Sequence, residues 1–175
     1  MRSLIWRLGV GFGFLIATAG CSVSPGTHTK PFDVTVSLDD ATAKTNSVEI
    51  DLVAVNQNEL KRWDNVSVDD YWQPDNALRR TEDKFVMKFD DASNSKTLPV
   101  DDPHWAEWQS HTAMYLVAIG YIPGVAASGE GEADPRRQIV TVDAYRWRHN
   151  KATELKFEVD SSGIRCITQP DPEEK

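Results

Sequence analysis

The chain of 175 residues has only two cysteines, Cys21 and Cys166, too few for a disulfide-stapled scaffold. It is also short of basic charge: 19 lysines and arginines stand against 27 aspartates and glutamates, a formal net charge of −8. That balance excludes nucleic acid as a partner, because phosphate binding needs a basic face, and Arg79-Arg80 and Arg136-Arg137 are too dispersed to make one. No apolar run reaches the ~20 residues that a membrane-spanning helix requires. Catalytic signatures are missing as well. There is no HExxH or close His-x-His spacing, no Gly-Lys-Ser/Thr phosphate loop, no GxSxG elbow and no CxxC. The expectation is a protein that is not an enzyme and binds no metal or cofactor. A hydrophobic content of 40% is nevertheless enough for a packed core.

One segment departs from this acidic average. Residues 1–20 contain no acid; Arg2 and Arg7 precede the apolar run LGVGFGFLIA at 8–17, and Thr18-Ala19-Gly20 lead into Cys21. This is the charged-apolar-small layout of an export signal. The apolar run is about half the length needed to span a bilayer, and three glycines weaken it further as a helix. The stretch LIATAGC at 15–21 resembles the lipobox of bacterial lipoproteins, with Thr18 at the position where that pattern prefers Leu. The resemblance implies that Cys21 is lipidated as the first residue of the mature chain; the alternative is an ordinary cleaved signal with an incidental cysteine. Two or more acyl chains anchor a protein stably without a spanning helix. Ser22, rather than the Asp that resembles a retention signal, implies sorting to the periplasmic face of an outer membrane.

The expected organisation is therefore a signal peptide at 1–20, the lipidated cysteine and a flexible polar tether at 21–31, a domain at 32–169, and a charged tail at 170–175. Removing residues 1–20 takes away two arginines and no acid, which moves the net charge from −8 to −10. With Cys21 acylated, Cys166 has no partner for an intrachain bridge. Its place in an alternating segment reads as a small core residue rather than a nucleophile.

Period-two patterns dominate the domain. FDVTVSL at 32–38 alternates without a fault, VEIDL at 48–52 alternates and continues through VAV, and FVMKF at 85–89 is a short candidate. MYLVAIGYI at 114–122 is nearly continuous and apolar, as in a central strand buried on both faces. QIVTV at 138–142, LKFEV at 155–159 and IRCIT at 164–168 complete about seven strands, the last two flanking the hairpin loop DSSG. Helical signals are local. Asp102-Pro103 is an N-cap followed by proline at the first helical position, ahead of HWAEWQSH. A second short helix at 66–72 is capped by Asp64 or Ser67 and ends before Pro74. The fold class this predicts is mainly β: an antiparallel β-sandwich with one or two short helices.

The polar clusters weigh lightly. The acid pairs Asp39-Asp40, Asp69-Asp70, Asp90-Asp91 and Asp101-Asp102 could in principle serve glycoside hydrolysis, but at turns such pairs act as caps and solvating charge. The histidines at 28, 104, 111 and 149 are scattered. Tryptophans 63, 72, 105, 108 and 147 either plug the space between helices and sheets or, if exposed, form a glycan-stacking platform. The latter makes a lipid-anchored ligand-binding module the alternative function.

An acylated cysteine, a tether and a small β-sandwich without a catalytic constellation resemble the TssJ-type lipoproteins of type VI secretion systems. MYLVAIGY at 114–121 stands where that family has its long central strand, LKFEV with Ile164 is similar to its closing hairpin, and VEIDLVAVN at 48–56 is similar to its second strand, which leads into a helical excursion at 57–78. The resemblance implies a non-enzymatic assembly component of a trans-envelope complex, anchored in the outer membrane and bound to the periplasmic domain of an inner-membrane partner. It further implies that the loop between the first two strands, residues 39–47, contacts that partner, with Asp39, Asp40 and Lys44 as candidates.

Overall fold

The computed structural model describes residues 29–44, 47–90, 93–127 and 133–172; Cys21 lies outside the described residues. Strict alternation sets β1 (Asp33–Leu38), which buries Val34, Val36 and Leu38 and turns Asp33, Thr35 and Ser37 away from the core. β7 (Glu154–Asp160) does the same with Leu155, Phe157 and Val159. β4 (Ser95–Leu98) flanks β1, and β8 (Gly163–Cys166) returns beside β7, giving the sheet order β4-β1-β7-β8. Gly163 has φ 124°, and a Cβ there would meet the Pro135 carbonyl oxygen at 2.1 Å, so the hairpin requires glycine.

The second sheet has the order β3-β2-β5-β6, formed by β2 (Glu49–Val55), β3 (Phe85–Lys88), β5 (Tyr115–Tyr121) and β6 (Arg137–Thr141). β5 is the central strand that its apolar run predicts, paired antiparallel on both sides. Its two faces serve different cores. Leu116 and Ala118, with Ile50 and Leu52 of β2, pack in the space between the sheets. Val117 and Ile119, with Val53 and Val55, pack against Trp63, Val68 and Tyr71 of a helical cover.

That cover consists of α1 (Gln57–Asn65), α2 (Val68–Tyr71) and α3 (Ala77–Thr81). Each begins at a polar cap. Asn56 and Glu59 form a capping box at α1, Ser67 caps α2 and Asn76 caps α3. α4 (Pro103–Ser110) starts at Asp102, whose carboxylate accepts the His104 N–H at 3.0 Å, and it buries Trp105 and Trp108 in the inter-sheet core.

The architecture is the expected sandwich, with eight strands and four short helices among the described residues. The additional strand, β4, buries only Leu98 and joins β1 through hydroxyl pairs, Thr35 with Thr97 and Ser37 with Ser95, each at 3.0 Å. An edge strand with one core side chain has no alternation to detect. α1 and α3 are short and mostly polar, with Trp63 the one buried side chain of α1 and none in α3, so their helical signal is weak. One pairing, β1 with β7, is parallel, because the chain crosses between the sheets before returning beside its first strand.

The strand directions define two poles. At one, Thr29 bridges to Asp143 and donates its hydroxyl to the Ala113 carbonyl at 2.6 Å, while the Lys30 N–H donates to the Val142 carbonyl at 2.7 Å. β1, β5 and β7 all begin at this pole. At the other lie the end of β1, the start of β2 and the β7–β8 hairpin.

Candidate functional site

The loop after β1 leaves the sandwich at the pole opposite Thr29. Asp39 shapes it: its Oδ1 accepts the Thr42 N–H at 2.7 Å, and its carbonyl accepts the Ala43 N–H at 2.9 Å. The result is a short 3-10 turn, Thr42–Lys44, with the Thr42 side chain turned inward. Ser47 re-enters β2 with φ 62°. Asp40 and Lys44 are exposed on the turn, and with Ala43, Asp90 and Asn94 they line an open depression. The three residues the sequence singles out therefore divide. All three are exposed, but Asp39 also shapes the loop through its carboxylate and carbonyl oxygens.

The other sequence candidates resolve into packing and caps. Trp63 is 0% exposed, and Trp105, Trp108 and Trp147 are 2% exposed. Trp72 is half-buried, with the Arg79 guanidinium 4.0 Å above its ring. A glycan-stacking platform needs open indole faces, so this placement takes away its main support. His104 pairs with Asp102 at 2.7 Å and packs edge-on against Phe85, while His111 lies 2.9 Å from Glu107 on α4. Among the described residues, no three His, Cys, Asp or Glu side chains converge as metal ligands. Asp69 pairs with Arg136 at 2.6 Å, and Asp102 caps α4, so these acids of the sequence pairs act as ion partner and cap. Cys166 is half-buried, and burial pushes its thiol up to about 11, which keeps it protonated and unreactive at neutral pH.

A second cluster has no counterpart in the sequence reading. Asp51 sits in the middle of β2, fully buried beneath the helical cover. Its Oδ2 accepts the Tyr71 hydroxyl and the Arg79 Nε–H, each at 2.9 Å. Arg79 reaches on to Glu49 at 2.5 Å. Burial first, then Asp51, raises the Tyr71 hydroxyl, so that it stays a donor. Burial opposes the Arg79 charge, but the hydrogen bond and charge of Asp51 and the charge of Glu49 outweigh it, and its pKa rises. Asp51 occupies a polar position of an alternating segment, which reads as solvent-facing. Only the unbroken apolar sequence of Val53 and Val55 on the same face hints that this side is covered.

No family model matches the chain, and no curated protein sequence does. Solved structures do. The T6SS protein TssM C-terminal domain (869-1107) from EAEC superposes with a TM-score of 0.51 at 11% identity, over 78% of this chain and 99% of that one. Serratia marcescens Lip, a membrane bound component of the Type VI Secretion System, has a TM-score of 0.48 at 13% identity, over 82% and 99%. The T6SS lipoprotein TssJ1 from Pseudomonas aeruginosa has 0.41 at 14%, over 81% and 99%. The sandwich is thus a fold that this chain shares, over most of its length, with a solved structure of a type VI secretion protein.

Proposed function

We propose that the protein is a lipid-anchored structural component of a type VI secretion-like trans-envelope complex. Cys21 carries the acyl chains and holds the domain on the periplasmic face of the outer membrane. The loop at 39–44 meets the periplasmic domain of an inner-membrane partner. Three features support this reading: the shared fold with a T6SS protein, the signal-like residues 1–20 ending at Cys21, and above all the disposition of the two poles. The chain joins the sandwich at Thr29, while Asp40 and Lys44 stand at the opposite end, which a partner from the inner membrane would reach first. The absence of a helix long and apolar enough to cross a membrane among the described residues fits attachment through lipid.

Asp40→Lys combined with Lys44→Glu inverts the charges of the turn without touching the Asp39 cap. This variant is expected to weaken binding to the partner's periplasmic domain about tenfold, read by titration calorimetry. In intact cells, a photo-crosslinker at Lys44 is expected to capture that partner. Unchanged affinity in the inverted variant would remove the loop from the proposal.

A further inference from the structure

We infer that the free edge of β3 is a docking site for an extended acidic segment of a partner protein, which adds a further strand to the sheet β3-β2-β5-β6. The inference does not rest on the Cys21 anchor or on the 39–44 turn.

The two sides of the sandwich differ. On one, β8 meets the chain just ahead of β6, where the Ile164 N–H donates to the Pro135 carbonyl at 2.8 Å. On the other, β3 and β4 are the outermost strands of their sheets. An open cleft of about 450 Å³ runs along them, lined by Phe85, Val86, Met87, Lys88, Lys96 and Thr97.

The phase of the ladder decides which backbone groups face this cleft. The Phe89 N–H donates to the Val48 carbonyl at 2.9 Å. In the antiparallel register of β2 and β3, the bonded pairs are then Phe89 with Val48, Met87 with Ile50 and Phe85 with Leu52. Val86 and Lys88 fall between these pairs and turn their N–H and C=O groups away from β2. Among the described residues, none of those four groups has a hydrogen-bond partner. The edge of β4 is different. There the Leu38 N–H donates to the Asn94 carbonyl at 2.8 Å, which turns Ser95 outward. The Ser93 hydroxyl donates to the Ser95 carbonyl at 2.7 Å and accepts its N–H at 3.3 Å. β4 is capped from within the chain at that position, and β3 is bare.

Side chains select the occupant. Val86 is 37% exposed, and Lys88 shares its face of the strand. Met87 and Phe85 pack toward the inter-sheet core. Lys96 has no ion partner among the described residues. Lys88 lies 3.7 Å from Glu49, a carboxylate that Arg79 holds more closely at 2.5 Å. A strand of alternating acidic and apolar residues suits this edge in either register. Its acids meet Lys88 while its apolar side chains meet Met87, or its acids meet Lys96 while its apolar side chains meet Val86. A second copy is a poor occupant, because two β3 edges would bring both Lys88 side chains into one seam.

The test uses the full-length chain in detergent micelles and two synthetic peptides of about eight residues. One alternates valine with glutamate, and the other alternates valine with lysine. Amide hydrogen exchange is followed residue by residue. The glutamate peptide is expected to slow exchange at Val86 and Lys88 about tenfold and to leave Met87, already bonded to Ile50, unchanged. Lys88→Glu with Lys96→Glu is expected to weaken that peptide about tenfold and to favour the lysine peptide instead. Val86→Pro removes an outward N–H without touching the β2 ladder and is expected to abolish the protection, with the near-ultraviolet circular dichroism unchanged. Unchanged exchange at Val86 and Lys88 under millimolar glutamate peptide overturns the proposal. Equal protection by the two peptides overturns the acidic occupant, as does protection that rises with protein concentration alone, the mark of a second copy.

Discussion

Ile50 and Asp51 are neighbours on β2, both fully buried, and they face opposite cores. Ile50 points between the sheets, across from Gly120, where a Cβ would lie 2.8 Å from its Cδ1. Asp51 points under the helices and is held by Tyr71 and Arg79. The inter-sheet core is thus secured by non-directional apolar contact between strands that already pair along their length. The helical cover has no such ladder. α2 has four residues and α3 has five, too short to be stable alone. A buried carboxylate that accepts bonds from both helices fixes where they sit on the sheet. Such networks are weak contributors to net stability but are costly to break halfway.

Four substitutions test this contrast. Arg79→Met removes the cation beside Asp51 and is expected to cost about 3–5 kcal/mol in chemical denaturation. Adding Asp51→Leu should recover much of that loss, since the buried charge disappears with its partner; no recovery would mean that Arg79 acts through its stacking on Trp72 instead. Tyr71→Phe takes away one of the two donors to Asp51 Oδ2 and should cost about 1–3 kcal/mol. Ile50→Val deletes one methylene from the inter-sheet core and should cost about 0.5–1.5 kcal/mol. An Ile50→Val loss equal to that of Arg79→Met would erase the distinction between the two faces.

Much of the sandwich was legible residue by residue. The alternation of 32–38 and 155–159 named the buried side chains of β1 and β7, and Asp102-Pro103 named the start of α4. β4 escaped because it buries only Leu98; α1, whose one buried residue is Trp63, was expected only through the family resemblance, which implied a helical excursion at 57–78. At the candidate loop, the family resemblance implied Asp39, Asp40 and Lys44 together. Which of them caps the turn depended on backbone geometry that composition does not carry.

The sequence by itself determined which side chains of each strand share a face, because the strand period of two is a local property of the backbone. It also set the acidic balance and the signal-like start that leads to Cys21. The tertiary structure alone decided what lies over each face. It buried Asp51 where alternation placed a solvated acid, turned Trp105 and Trp108 inward, and set Thr29 and the 39–44 turn at opposite poles. The physical reason is that coverage and position are non-local: they depend on where residues distant in the chain come to pack, which no local pattern records.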